Sequence, residues 1–161
     1  MSPTIRPLTD GDLDAVVDLS LRAWAPVFAA VEQVLAGSGV FEEFHPDWRD
    51  TQRRAVSDVC ADDATPTWVA EVDSAVAGFV AVRLHRDDRM GEIYMIAVDP
   101  DRQRRGVGIA LTTYATDWIR QQGMTIAMID TGGDPGHAPA RRVYERAGYT
   151  ALPGVKYFKK L

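Results

Sequence analysis

The segment Val98–Leu111, VDPDRQRRGVGIAL, gathers three arginines and two glycines between apolar stretches of a chain whose formal net charge is -5. It reads as a strand, a polar turn and the start of a helix. A helix start exposes unpaired backbone N–H groups and the positive end of the dipole, so it attracts anions. Gly106 and Gly108 carry no side chain and let a ligand come close to the backbone. Arg104 and Arg105 add planar donors suited to phosphate. Such a turn asks for a bulky polyanion, a pyrophosphate for example. Two common phosphate loops are excluded. The pattern G-x-x-x-x-G-K-[ST] lacks both its lysine and its hydroxyl here, and G-x-G-x-x-G would need a third glycine where Leu111 stands.

The elements that must position this turn follow from periodicity and punctuation. Thr4 to Leu8 reads as a short strand. Thr9-Asp10-Gly11-Asp12 supplies capping side chains before a helix through about Trp24, which Pro26 should interrupt. Val27 to Leu35 reads as a second helical piece, ended near Gly37-Ser38-Gly39, and Asp47 to Cys60 as a third helix. Thr67 to Val72 and Ala75 to Leu84 are β-rich runs joined at Asp73-Ser74, and Gly91 to Val98 is a further strand. Helical spacing resumes at Val107 through Leu111, Tyr114, Ala115, Trp118 and Ile119, with Gly123 as the cap. Thr125 to Ile129 is a strand, Thr131 to Gly136 a long turn, and His137 to Ala147 a helix with Pro139 in its first turn. Tyr149 to Leu152 and Val155 to Phe158 read as two last strands split by Pro153-Gly154. The order predicts one α/β domain over residues 1–161 with a single central sheet.

The pattern Gln103-x-x-Gly106-x-Gly108, after a strand ending in Val-x-Pro, resembles the coenzyme A pyrophosphate loop of the GNAT N-acetyltransferase superfamily. The segment HAPARRVYERAGYT is similar to that family's N-x-x-A-x-x-L-Y-x-x-x-G-F, with Ala140, Tyr144, Gly148 and Tyr149 in register. The element order matches across nearly the whole chain. The resemblance implies a mixed, mostly antiparallel central sheet flanked by helices, and acetyl-CoA as acyl donor. It also implies cofactor contacts from the backbone of Ile96, Ala97 and Val98, and from Gln103, Arg104, Arg105, Gly106, Val107, Gly108 and Ile109.

Making an amide from a thioester needs an amine that loses a proton, a stabilised oxyanion and a leaving thiolate. An alkyl ammonium is less than about 1% neutral at pH 7, so a base or a water relay helps. Some GNAT members use a glutamate as base at the strand position matching Glu92. The rival role for Glu92 is a strand-end carboxylate paired with an arginine. Alternation puts Glu92, Tyr94, Ile96 and Val98 on one face of the strand, which makes Tyr94 a pocket neighbour. Tyr144 matches the family tyrosine near the coenzyme A sulfur. Its ordinary pKa of about 10 keeps it protonated as a donor to the thiolate; the rival role is a core tyrosine. His137 stands where the family has asparagine, and either the cofactor arm or the substrate would be its partner. Arg141 reaches the phosphates or faces solvent.

The acceptor side would come from the N-terminal helices, where Trp24 and Phe28 stand among carboxylates. Aromatics with carboxylates suit a cationic amine, and the same aromatics would equally serve as core. A small-molecule amine is the expected acceptor. A protein or peptide amine, and a non-catalytic coenzyme A-binding regulatory module, are the alternatives. The acidic balance argues against a nucleic-acid partner. No apolar run approaches the roughly 18–20 residues of a membrane span, so no membrane partner is expected. No secretory signal is visible, and a lone Cys60 builds no internal disulfide, which together predict a cytoplasmic protein. A homodimer is compatible with all of this. His45 and His85 lack partners at metal-ligand spacing, so no metal site is predicted.

Overall fold

The hairpin and capping signals become a five-stranded sheet in the computed structural model, which describes residues 2–161. Its strands are β1 (Thr4–Pro7), β2 (Thr67–Val72), β3 (Ala75–His85), β4 (Met90–Val98) and β5 (Ile126–Met128), in spatial order β1-β2-β3-β4-β5. Neighbours from β1 to β4 run antiparallel, and β4 with β5 runs parallel. The β2–β3 turn places Asp73 and Ser74 at φ 53° and 61°, the left-handed pair that a two-residue hairpin requires.

Helices cover both faces. α1 (Leu13–Val34) and α3 (Trp48–Ala61) close one face over Val16, Leu19, Val56, Val69 and Phe79. α4 (Val107–Gln121) closes the other over Val80, Val82, Ile93, Leu111, Ala115 and Ile119. The short α2 (Val40–Phe44) follows α1, and α5 (Ala138–Arg146) lies against α4. The parallel β4–α4–β5 unit puts the arginine-glycine turn at the carboxyl end of β4, where open sheets bind ligands.

Three expectations are corrected. Pro26 does not break the first helix, because α1 runs unbroken past it. An interior proline costs about 3 kcal/mol, and packing on both sides of it outweighs that cost. Trp24 meets Phe79 edge-on before it, and Phe28 stacks on Trp48 after it. The two last strands do not form. β5 is three residues long, too short an edge to pair them, and Leu152, Val155 and Tyr157 stay exposed. The segment is tied down instead by Tyr149 Oη to Thr116 Oγ1 at 2.7 Å and by Phe158 against Phe44.

The third correction concerns β4. Val82 pairs with Ile93, yet Ala81 pairs with Met95, so Tyr94 is the extra residue of a β-bulge. The bulge reverses the alternation beyond it. Ile93, Ile96 and Val98 pack toward α4, while Met95 and Ala97 pack toward α1 and α3. Glu92, opposite in parity to Ile93, therefore lies on the α1 side, away from Ile96 and Val98.

Candidate active site

The turn after β4 is braced from behind and open in front. Arg22 on α1 grips Asp99 with two hydrogen bonds of 2.8 and 3.0 Å, and Asp99 N–H donates to the Ala77 carbonyl. Those Arg22 bonds hold the Asp99 carboxyl below the usual range, against the opposing effect of burial. Arg102 turns back to the Val72 carbonyl and Asp73. Gln103 Nε2 donates to the Val98 carbonyl at 3.4 Å. Arg104 and Arg105 remain exposed, and no ion pair among the described residues uses them.

Backbone geometry supplies the anion cradle. Arg104 sits at φ 63° and Gly106 at φ 80°, so the chain curls left-handed before α4. A side chain at Gly106 would be strained by that φ alone. The first helical bond is Ala110 N–H to the Gly106 carbonyl, which leaves the N–H groups of Val107, Gly108 and Ile109 without helical partners. An added Cβ at Gly108 would stand 3.6 Å from Val143 and 3.7 Å from Val98, filling the seam between β4 and α5.

That seam continues as an opening in the sheet. β5 pairs with β4 only at Met90, Gly91 and Glu92. From the bulge onward, through Ile96, Ala97 and Val98, the outer edge of β4 has no strand partner. Its amides can accept an extended ligand arm, and an oxyanion donor can come from the same edge.

Glu92 stands where the strands part. Its carboxylate is 2.7 Å from His85 Nε2, with side chains 19% and 39% exposed. Its partner is thus a histidine and not an arginine. His85, considered from the sequence only as a metal ligand, is thus the neighbour of the candidate base. Tyr94 is exposed on the bulge, and Arg83, the cross-strand partner of Glu92, covers its ring at 3.5 Å.

The aromatic wall is divided. Trp24 packs on core Phe79, whereas Phe28 belongs to a cluster with Trp48 at 4.3 Å and His45 at 5.3 Å. Burial pushes the His45 imidazole down, favouring its neutral form. Cys60 is half-buried, and burial pushes its thiol up to about 11, which suits a small apolar side chain and no nucleophile.

Tyr144 on α5 is largely buried; burial first, then the nearby Tyr149, pushes its phenol up to about 12. Its hydroxyl has no hydrogen-bond partner among the described residues. His137 caps α5 and is bonded through Nδ1 to Asp134. Arg141 is half-buried, and its Nη1 donates to the carbonyls of Gly132 and Asp134. Sequence reading missed His85 and Asp134. The signals were present, in a Glu92 that a hairpin register sets near His85 and in the Asp-x-x-His spacing ahead of α5.

Comparison with known proteins bears on the family and the fold. The model described as "Acetyltransferase (GNAT) family" matches residues 27–149. The mycothiol acetyltransferase of Streptomyces coelicolor is 31% identical over 150 residues, covering 89% of this chain and 48% of that protein. That of Stackebrandtia nassauensis is 30% identical over 160 residues, covering 94% and 51%. The chain thus spans about half the length of these curated relatives. Among solved structures, the aminoglycoside 6'-N-acetyltransferase AAC(6')-IG of Acinetobacter haemolyticus superposes with TM-score 0.67 at 18% identity, covering 98% of both chains. AAC(6')-Iy, solved with a bisubstrate analogue of coenzyme A and acetylneamine, superposes with TM-score 0.62 at 18% identity, covering 100% of this chain and 99% of its own. Among the described residues no helix is long and apolar enough to cross a membrane.

Proposed function

We propose, of a chain that belongs to the acetyltransferase (GNAT) family and is an acetyl-CoA-dependent acetyltransferase, that it moves the acetyl group to a primary amine of a small molecule by direct transfer. The observation that carries this is the parting of β4 from β5 beside the arginine-glycine turn. It is a groove with anion donors at one end and a carboxylate–imidazole pair at the other. The residues present fit the donor: unpartnered Arg104 and Arg105 and the amides of Val107 to Ile109 face a pyrophosphate, and the β4 edge at Ile96 to Val98 takes the extended arm. Acetyl-CoA supplies an activated acyl carbon on a thiol leaving group.

Glu92, on the α1 side of the sheet, takes the first proton from the acceptor ammonium, directly or through water. His85 holds its carboxylate in place. The bulge supports this role, because it turns Glu92 toward the helices that carry Phe28 and away from α4. A β4 amide faces the acetyl oxygen as negative charge develops on it. The Tyr144 hydroxyl meets the departing sulfur. A phenol at about 12 would lose its proton to a thiolate of ordinary pKa about 8.5 only uphill, by about 5 kcal/mol, so it acts as a hydrogen-bond donor.

Relatives and structural neighbours named for mycothiol and aminoglycosides favour a small-molecule acceptor over a protein amine. A single unpaired cysteine suits the reducing cytoplasm as the site of action. The test is a thiol-release assay with acetyl-CoA across aminoglycosides, polyamines, amino acids and a lysine-containing peptide. Release with a small amine and none with the peptide is expected. Release with the peptide alone would overturn the acceptor class, and coenzyme A binding with no release would favour a regulatory module.

A further inference from the structure

The most tightly constructed polar arrangement outside the roles assigned above is the turn into α5. Arg141 Nη1 donates to the carbonyls of Gly132 at 2.6 Å and Asp134 at 2.9 Å, which fixes the turn. Asp134 Oδ1 then lies 2.5 Å from His137 Nδ1, with side chains 13% and 24% exposed. The packing leaves no slack. An added Cβ at Gly132 would collide with Asp134 Oδ1 and His137 Nδ1, and one at Gly136 would stand 2.8 Å from Val27 Cα on α1.

The chemistry of the pair follows from this geometry. Burial works to raise the Asp134 carboxyl, but the hydrogen bond and charge of His137 outweigh it, and the group is held below its usual range. An ionised carboxylate only accepts, so Nδ1 carries a proton toward Asp134 and Nε2 is the ring nitrogen left to meet a ligand. The other carboxylate oxygen, Oδ2, is buried with no partner among the described residues.

The placement is equally specific. His137 stands at the N-terminal end of α5, the helix that carries Tyr144. The neighbouring Gly136 is wedged on α1 at Val27, next to Phe28 of the aromatic wall. His137 thus sits at the junction of the helix read as facing the sulfur and the helix read as facing the acceptor.

We propose that the Asp134–His137 pair is a proton shuttle, carrying a proton from the reacting nitrogen to the leaving sulfur. The inference rests on the acetyl-transfer reading. Two protons must leave the acceptor ammonium on the way to an amide, and Glu92 accounts for the first. As the nitrogen–carbon bond forms, the second N–H bond breaks and its proton goes to His137 Nε2. As the carbon–sulfur bond breaks, its electron pair goes to sulfur. The Nε2–H bond then breaks and an S–H bond forms. The ring returns to its starting state, and one proton is released overall. An ordinary imidazolium is a stronger acid than a thiol, whereas a buried phenol is a weaker one. The delivery is downhill from histidine and uphill from Tyr144.

The test uses the full chain with nitrogen-15-labelled histidine. Nuclear magnetic resonance should show His137 protonated at Nδ1, identified by its loss in His137→Asn, and D134N should abolish that preference. Coenzyme A should shift the Nε2 signal, and desulfo-coenzyme A, which lacks only the sulfur, should not. With the amine that the thiol-release assay accepts best, H137N should lower kcat roughly tenfold to a thousandfold, with coenzyme A affinity near wild type. D134N, which keeps the shape of the turn, should lower kcat by less. Identical Nε2 shifts with the two cofactors, or wild-type turnover by H137N, overturns the shuttle. A wild type that releases no thiol with any amine defeats the acetyl-transfer reading instead, and the comparison of the two cofactors still decides whether His137 faces the sulfur.

Discussion

Arg6, on β1, and Arg105, in the turn before α4, stand in opposite circumstances. Arg6 on β1 is held by Asp12 at 2.7 Å and Glu71 at 3.0 Å, and its donors are engaged in closing the corner between the sheet and α1. Arg105 has no carboxylate partner among the described residues and faces out beside a helix start. The contrast recurs within one turn, where Arg102 is engaged with Val72 and Asp73 and Arg104 is not. Engaged groups stabilise the fold. Unpartnered groups at a prepared backbone cradle add little to stability and are available to a ligand. The same distinction applies to tyrosine hydroxyls, since that of Tyr149 bonds Thr116 and that of Tyr144 has no partner among the described residues.

The sharpest way to break this division is at Tyr144. Tyr144→Phe removes one hydroxyl and keeps the ring. kcat should fall roughly tenfold to a thousandfold, with coenzyme A affinity and Tm near wild type. A large loss of Tm with unchanged kcat would place Tyr144 with the engaged groups. Steady-state kinetics beside a thermal melt decides it.

Glu92 tests the boundary, because it is engaged with His85 and also assigned chemistry. Glu92→Gln preserves shape but cannot take a proton. At neutral pH its kcat/KM should fall about tenfold to a hundredfold, recovering in part as pH rises and free amine accumulates. Y144F should show no such recovery, since amine deprotonation does not help the sulfur leave. A pH–rate profile of both variants on one accepted amine separates the two. A Glu92→Gln enzyme equal to wild type at every pH would leave the carboxylate a purely structural partner of His85.

Arg105→Glu replaces an unpartnered cation with an anion. Coenzyme A binding measured by calorimetry should weaken at least about tenfold, and the wild-type affinity should fall with added salt. Tm should hardly move. Unchanged affinity would mean that the arginines of this turn merely face water.

These contrasts also explain what could be read from the sequence. The strand–turn–helix at Val98–Leu111 was legible because its signals are local: proline ends the strand, glycine starts the helix, and apolar spacing continues it. The family motif at Ala140, Tyr144 and Gly148 was legible for the same reason. The expected interruption at Pro26 failed because packing by Phe79 and Trp48, distant in sequence, decides the fate of that helix. The expected last strands had the right alternation but no edge to pair with, as β5 ends after Met128. The bulge at Tyr94 adds a residue without changing composition, so strict alternation put Glu92 on the wrong face. Which charges are engaged is a property of three-dimensional neighbours, and no spacing rule distinguishes Arg102 from Arg105.

The smallest effect is expected at the engaged end of the comparison. Arg6 hydrogen bonds, opposed by burial and aided by Thr9, hold the Asp12 carboxyl well below the usual carboxylate range. A depressed carboxylate stabilises the fold fully above its unfolded pKa, near 3.9, and loses that contribution as pH falls through its lower folded value. Asp12→Asn should therefore lower Tm at pH 7 by only about 2–4 °C, since Arg6 is partly exposed and its charge is screened. The gap between variant and wild type should narrow as pH drops below about 4, where the wild-type carboxyl also begins to protonate. kcat and coenzyme A affinity should match wild type throughout. Melts from pH 7 to pH 3 check the sign, and a gap that widens on acidification would show that Asp12 contributes by something other than its charge.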